Sequence, residues 1–269
     1  MKISVVIITH NEEHNIGRCL QAIAGIADEI LVVDSFSTDK TTEIAHQYRA
    51  KVIRQAFLGY IPQKHFATAE AQYDWILSID ADEVVSTSLA NSILQIKENG
   101  ARYDSYQCNR MANYCGNWIR HGGWYPDRKI RFFDRRQGEW SGRNNLHEKW
   151  QPYKVGKTGR LKGDLLHYTF NTVSEHLQQI DRFTDIMAKT LAAKGKTASI
   201  LKVILSPAWR FFNDYIIHMG FLDGYPGYLV CRYSAFATQV KYSKLKQYAK
   251  AGKTVPYNND AQWTALPAP

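Results

Sequence analysis

Over the first hundred residues, short apolar runs alternate with stretches of helical pattern, and this alternation constrains the fold more than any other feature. The runs lie at residues 3–9, 29–34, 51–54 and 74–79. They are rich in aliphatic and β-branched side chains, which is typical of strands covered on both faces in a parallel sheet. Strands and helices that alternate in this way predict a doubly wound α/β sheet.

Polar residues follow three of these predicted strands. Ligands of doubly wound sheets bind beyond the carboxyl ends of the strands, and His10, Asn11, Asp34 and Asp80 all fall there. The Asp80-x-Asp82 spacing suits a divalent cation, because two carboxylates in one turn can point to the same side while substrate phosphates complete the shell. The same spacing also occurs in turns and helix caps. No role beyond the turn is assigned to the next acid in the chain, the glutamate that follows Asp82.

The second half of the chain has a different pattern. From about Ala101 the predicted strands are short and aromatic, which indicates a mixed or antiparallel extension of the first sheet. Residues 172–175 (TVSE) form a capping box, so a helix is predicted from there to a stop at Gly195.

Residues 198–245 contain two helical stretches rich in Trp, Tyr and Phe, and the first is predicted to start at Ser206-Pro207. Four lysines follow the second stretch, at positions 241, 244, 246 and 250. Two interpretations remain open: an interfacial membrane anchor, or a helical pair packed on the core. Charged residues within the stretches exclude a spanning helix. The tail from residue 256 to residue 269 is expected to be loose.

The composition limits the class of protein. The 269 residues carry 34 Lys and Arg against 25 Asp and Glu, a net charge of +9, which suggests an anionic partner such as nucleotide phosphates, a membrane surface or nucleic acid. The four cysteines have neither zinc-site nor CxxC spacing and indicate free thiols in a reducing cytosol. The first residues are expected to form a strand rather than a signal peptide, because their apolar run is short and meets charge at once.

Several motifs resemble those of the family 2 glycosyltransferases, which have the GT-A nucleotide-sugar fold. In the first half they are VIITHNEE, VVDSFSTDKT, GYIPQKHFATA and WILSIDADE, and in the second half GGWYPDRKIRFF, NLHEKW and LLHYTF. The likeness covers about residues 3–185 and is greatest to the bacterial lipopolysaccharide-core-type β-1,4-glucosyltransferases. It implies a Rossmann-like α/β GT-A fold with a mixed central sheet, followed by a C-terminal amphipathic helical segment.

The resemblance also implies roles for individual residues. Donor-binding residues would be Thr9, Asn11, Glu12, Asp34, Lys64, Asp80, Ala81 and Arg131. Asp82 and His167 would hold Mn²⁺ or Mg²⁺, although His167 could equally be a core histidine. Glu148 would be the catalytic base, with Asp127 as its rival, and Gly123, Trp124 and Tyr125 would contact the acceptor.

The implied activity is an inverting, metal-dependent transfer of a sugar from a nucleotide donor, UDP-linked by expectation, to a saccharide of a cell-envelope glycolipid or polysaccharide. The catalytic domain would span residues 1–195, with a donor half to about residue 100 and an acceptor half beyond it. Residues 196–255 would form a helical region that contacts an anionic membrane. We expect a bacterial cytoplasmic protein, peripheral at the inner membrane, with no nucleic-acid partner.

Three alternatives to this activity predict other sequence features. A polyprenyl-phosphate glycosyltransferase uses the same fold but often has spanning helices, which are not expected here. A nucleotidyltransferase would have a glycine-rich loop after the first strand, and HNEEHN contains no glycine. A nucleic-acid-binding module would cluster cations with exposed aromatic residues, whereas here acids follow the strands and many cations lie near the C-terminus.

Overall fold

A computed structural model describes residues 1–143, 147–154 and 158–250, with the backbone alone for Arg143 and His147. The tail predicted to be loose lies outside the described residues. In chain order the elements are β1 (Ile3–Thr9), α1 (Ile16–Ile23), β2 (Glu29–Asp34), α2 (Thr41–Gln47), β3 (Lys51–Arg54), α3 (Tyr60–Glu70), β4 (Trp75–Asp80), β5 (Glu83–Val85), α4 (Thr87–Asn99), β6 (Ser105–Tyr114), β7 (Asn117–Trp118), β8 (Asp127–Asp134), β9 (Gly138–Arg143), β10 (His147–Pro152), β11 (Thr158–Phe170), α5 (Val173–Ala193), α6 (Ile200–Phe212) and α7 (Gly224–Lys250).

The chain divides into two compact units. Unit 1 comprises Met1–Met111 and Asp127–Tyr168, and unit 2 comprises Ala112–Pro126 together with the described residues from Thr169 onward. Helix α5 therefore belongs with the C-terminal helices, whereas the boundary expected at residue 195 placed it with the catalytic half. That functional boundary stays a prediction.

Unit 1 is built on a mixed sheet. In the described part of the chain the strand order is β3-β2-β1-β4-β8-β6-β11-β5, with β7 beside the end of β6. Strands β1 to β4 pair in parallel, whereas β8 runs antiparallel to both β4 and β6. Strands β9 and β10 pair separately in a two-stranded ribbon. The predicted α/β class with a mixed central sheet is confirmed.

The apolar runs form strands because both faces of the sheet are covered. Along β1, Val5 packs in one core with Leu20 of α1, and the next residue, Val6, packs in a second core with Ala67 of α3. Successive side chains of a strand point to opposite faces, so a strand between two cores needs apolar residues at every position.

Unit 2 is mainly helical. The predicted N-cap is confirmed, since the Thr172 hydroxyl accepts a hydrogen bond from the Glu175 N–H (3.2 Å). The Glu175 carboxylate accepts from the N–H of Asn171 (2.8 Å), one residue before the N-cap that a capping box would use. Gly195, just after α5, has a positive φ of 69°. No helix in the described residues is both long and apolar enough to cross a bilayer.

Two helix boundaries predicted from the sequence are wrong. Helix α6 begins at Ile200 rather than at Pro207, because the Ser199 hydroxyl accepts a hydrogen bond from the Lys202 N–H (3.2 Å) and caps the helix there. Pro207 lies inside the helix. The lysines expected to follow the second helical stretch lie within α7, which extends to Lys250.

Candidate active site

The carboxyl ends of three parallel strands lie side by side, as predicted. The register pairs Thr9 at the end of β1 with Asp34 at the end of β2, and Ile8 with Asp80 at the end of β4. The strand order reverses at β1, and such a reversal marks the crevice where doubly wound sheets bind ligands. The buried Thr9 hydroxyl has no hydrogen-bond partner in the described residues, and its contact with a donor stays a prediction.

Hydrogen bonds join the loop that follows β1 to the loop that follows β2. The carboxylate of Asp34 is buried and accepts hydrogen bonds from the N–H of Ser37 (3.0 Å) and from its hydroxyl. Ser37 in turn accepts from the N–H of Asn11 (2.8 Å), whose side-chain oxygen accepts from the N–H of Thr38 (2.8 Å). Asp34 therefore fixes the shape of this loop, and its contact with a donor stays a prediction.

Glu12, on the same edge, has an unusual carboxyl group. Burial raises its pKa to about 7, and the negative charge of Asp82 adds to the rise. Its side chain also accepts a hydrogen bond from the Asn15 amide (2.6 Å). A carboxyl with this pKa is about half protonated near neutral pH, and burial rather than neighbouring charge is the main reason.

A buried lysine joins two of the predicted site residues. The Nζ of Lys64, on α3, lies 2.9 Å from Oδ1 of Asp80 and 3.1 Å from Oε1 of Glu148. The Lys64 side chain is 1% exposed, so both ion pairs form largely away from water. The other Asp80 oxygen pairs with the guanidinium of Arg131 (2.9 Å). Although burial alone would raise the pKa of Asp80, Lys64 and Arg131 hold it well below its usual range.

Glu83 has a central position that the sequence analysis missed. Its side chain is fully buried, and its carboxylate contacts the guanidinium groups of Arg131 (2.7 Å) and Arg110 (3.5 Å). The same carboxylate accepts a hydrogen bond from the backbone N–H of Asp80 (2.9 Å). The expectation that Glu83 has no role beyond the turn is wrong, because it fixes the Asp80 turn and neutralises Arg131. Arg131 is correspondingly buried in ion pairs rather than solvated.

The two predicted metal ligands lie together. Nε2 of His167, on β11, is 3.1 Å from Oδ2 of Asp82, and the N–H of Tyr168 donates to the backbone oxygen of Asp82 (3.0 Å). Although burial alone would lower the pKa of His167, the Asp82 carboxylate raises it. In the described residues no group of three or more His, Cys, Asp and Glu could hold a metal ion. The Asp82 carboxylate fits Mn²⁺ or Mg²⁺ when substrate phosphates and water supply other ligands, whereas the His167 imidazole suits Mn²⁺ better than Mg²⁺, which prefers oxygen ligands. Ala81, between the two acids, is buried in the core.

The ribbon of β9 and β10 carries Glu148 and is anchored to α3. The indole N–H of Trp140 donates to the Thr68 hydroxyl (3.0 Å), and the His65 ring contacts the backbone oxygen of Trp140 (2.8 Å). Trp150, which pairs with Trp140 across the ribbon, stacks on Phe133 of the main sheet. Trp140 and Trp150 lie on one face of the ribbon, and Glu148, two residues before Trp150, shares that face, so its position depends on this aromatic packing.

Asp127, the rival base, lies in a different environment. Its carboxylate contacts Arg110 (2.8 Å) and Lys129 (3.3 Å). Burial alone would raise its pKa, but these two cations lower it. A carboxylate with a lowered pKa is a weaker base, but Glu148 also contacts a cation, Lys64 (3.1 Å), so the choice between the two carboxylates stays a prediction.

The predicted acceptor residues belong to unit 2. Gly123 is exposed and has a φ of 76°, a conformation that favours glycine. The Trp124 ring packs edge-on against Tyr114 and His176 and also contacts Phe170, so much of its surface serves the core of unit 2. A role for Gly123, Trp124 and Tyr125 toward an acceptor stays a prediction.

Comparison with known proteins decides the family. The sequence profile of glycosyl transferase family 2 matches residues 4–156, more than half of the chain and the segment that carries the strand ends, Lys64 and Glu148. The chain belongs to glycosyl transferase family 2.

Relatives of this glycosyltransferase match it over most of its length. A glycosyltransferase of Rickettsia typhi is 31% identical, over 94% of this chain and 90% of the relative. The lipopolysaccharide core biosynthesis glycosyltransferase LpsC of Rhizobium meliloti is 25% identical, over 97% of both chains. The crystal structure of residues 1–349 of S. aureus TarS in complex with UDP-GlcNAc aligns with a TM-score of 0.46 and 14% identity, over 94% of this chain and 93% of TarS.

Part of this candidate site could be predicted from the sequence, and the roles of its residues stay predictions. The sequence indicated Asp80, Lys64 and Glu148, which the structure brings together in one cluster. Arg110 and His65 were missed as members of the surrounding network. Glu83 could have been predicted as well, because it is a third carboxylate beside a buried strand end and a buried carboxylate needs a cationic partner.

Proposed function

We propose that this family 2 glycosyltransferase is an inverting, metal-dependent enzyme that moves a hexosyl group from a UDP-sugar to a saccharide of a cell-envelope glycolipid or polysaccharide. The observation that carries the proposal is the Lys64 ammonium, which contacts both Asp80 at the donor edge and the candidate base Glu148. One buried cation therefore couples the residue proposed for the donor ribose with the residue proposed for the acceptor hydroxyl.

Glu148 acts as the general base in this proposal. Its carboxylate takes the proton of the acceptor hydroxyl while that oxygen forms a bond to the anomeric carbon. The bond from the anomeric carbon to the diphosphate breaks on the opposite face, and its electron pair leaves with UDP. A single displacement of this kind inverts the configuration of the sugar. Lys64 orients Glu148, and the ribbon beneath it keeps the carboxylate beside the strand ends.

The charge balance of the site supports metal dependence. The ion-pair network contains four cations and four carboxylates: Lys64, Arg110, Lys129 and Arg131, with Asp80, Glu83, Asp127 and Glu148. The network is therefore neutral before a donor arrives, and the charge of a diphosphate needs a further counter-charge.

Asp82 and His167 would hold that counter-charge. Bound there, Mn²⁺ or Mg²⁺ would supply positive charge to the departing diphosphate. The His167 imidazole lies against the Asp82 carboxylate, and any proton on the nitrogen that faces Asp82 would have to leave before that nitrogen could act as a ligand. The remaining ligands would come from the donor and from water.

The acceptor class rests on the relatives. LpsC of Rhizobium meliloti is named for lipopolysaccharide core biosynthesis and matches this chain almost end to end. We extend that acceptor class, a saccharide carried by a cell-envelope glycolipid, to this protein. In the proposal the transfer takes place at the cytoplasmic face of the bacterial inner membrane.

A donor screen tests the proposal. Thermal unfolding is measured with UDP-, GDP- and dTDP-sugars in the presence and absence of Mn²⁺, since a ligand of the folded state raises the melting temperature according to its affinity. A UDP-sugar should give the largest shift, and only with Mn²⁺. Asp82→Ala should lose the shift, whereas Asp28→Ala, which removes an ion pair with Lys97 elsewhere in unit 1, should keep it. The proposal would be contradicted if GDP- or dTDP-sugars raised the melting temperature more than UDP-sugars, or if the rise were the same without Mn²⁺.

A further inference from the structure

Helix α6 exposes most of its apolar side chains. Ile200, Leu201, Ile204, Leu205 and Trp209 are each at least 60% exposed, and no side chain of the helix is buried. These residues recur with the helical period and therefore share one face. Isoleucine, leucine and tryptophan are usually buried in the core, so an exposed face made of them indicates an interaction surface.

The helix is firmly attached on its other side. Val203 packs against a cluster that includes Ala188 of α5 and Leu245 of α7. The Ser199 cap fixes its first turn. The exposed apolar face therefore belongs to a defined, packed helix of unit 2.

The charges around this face are almost all positive. Residues 194–250 contain nine Lys and Arg and two Asp, a net charge of +7 out of +9 for the whole chain. Asp214 is buried and offsets Arg210, Asp223 pairs with His121, and Asp181 of α5 pairs with Lys244 of α7. Lys194, Lys196 and Lys202, which flank the start of α6, are exposed.

We propose that α6 lies in the interface of an anionic phospholipid bilayer, with its apolar face below the headgroups and the flanking lysines on the lipid phosphates. Apolar side chains, a tryptophan and a cationic rim on one short helix are the features of an interfacial anchor. A second copy of the chain fits this face poorly, because two surfaces with this charge excess would repel each other. The proposal goes beyond the transfer reaction and does not depend on it.

Vesicle co-sedimentation of the full chain tests this surface. Vesicles of equimolar phosphatidylcholine and phosphatidylglycerol are compared with phosphatidylcholine alone. The protein should bind the anionic vesicles at least about tenfold more strongly, and added salt should weaken the binding. The double variant Ile204→Ser/Trp209→Ser should lose at least about tenfold in binding. Leu58→Ser removes a side chain in unit 1 that is as exposed as Trp209 (65%) and should bind like the wild type.

Several results would overturn the proposal. One is undiminished vesicle binding by the Ile204→Ser/Trp209→Ser variant, and another is absence of binding by the wild type. A third is a lipid-free dimer, seen by sedimentation velocity, that the same variant dissociates, because a second copy would then cover α6. Circular dichroism checks that the variant is folded. Donor-induced thermal stabilisation should be unchanged in the variant, which separates failure of this proposal from failure of the proposed reaction.

Discussion

The buried carboxylate of Glu83 holds several residues of the candidate site in place. Glu83 contacts two guanidinium groups and the backbone of Asp80, so it determines where Asp80 and Arg131 can lie. Removing one partner of a buried ion pair is costly, because the other charge stays buried without compensation.

Glu83→Gln should therefore destabilise unit 1 without a change of side-chain size. We expect a loss of about 3 kcal/mol in the free energy of unfolding, measured with urea, because Arg131 and Arg110 lose their shared counter-charge. Glu98→Gln, the same change at an exposed position of α4, should cost less than about 0.5 kcal/mol. Equal effects of the two substitutions would show that Glu83 does not carry the network.

At this scale the sequence reveals which residues are chemically interesting but not how they pair. Asp80, Lys64 and Glu148 could be nominated because strand ends and motifs mark them. The resemblance nominated Arg131 for donor binding, but the sequence did not show that it is buried between two acids. That pairing depends on the antiparallel arrangement of β8 beside β4, which brings together residues about fifty positions apart.

At the scale of elements, the parallel strands were predictable and the ribbon was not. Strands covered on both faces leave a continuous apolar signal, and β1 to β4 were located to within one residue. Strand β5 has three residues, too few for a period to show. The ribbon of β9 and β10 is held by Trp140 and Trp150, whose packing partners lie in distant segments.

The link between the ribbon and α3 can be tested at one hydroxyl. Thr68→Val keeps the side-chain volume but removes the acceptor of the Trp140 indole N–H, a buried bond of 3.0 Å. We expect a loss of about 1–3 kcal/mol in unfolding free energy, because a buried donor is left unsatisfied. The transfer rate should fall as well, because Glu148 lies on this ribbon.

Thr68→Ser is the matched control, since it keeps the hydroxyl and should preserve most of the rate. Retention of the full rate by Thr68→Val would show that the ribbon does not depend on this bond to position the base.

In the molecule as a whole, the net positive charge is concentrated in the C-terminal helices. Residues 194–250 hold seven of the nine net positive charges, whereas the ion-pair network in unit 1 is neutral. The positive balance that the composition revealed is therefore a property of the C-terminal helices rather than of the proposed donor site. Composition alone could not assign the charge to the C-terminal helices rather than to the donor site, because the net charge of a whole chain does not say where the charged residues lie.

Single-turnover transfer kinetics test whether Glu148 removes the acceptor proton. With a UDP-sugar, Mn²⁺ and a saccharide acceptor, Glu148→Gln should lower the rate of the chemical step by about 10²–10⁴-fold while donor affinity changes little. Asp127→Asn should stay within about tenfold of the wild type, because Asp127 is held by Arg110 and Lys129 with a lowered pKa. Near-full turnover by Glu148→Gln together with loss of turnover in Asp127→Asn would contradict the account and assign the base to Asp127.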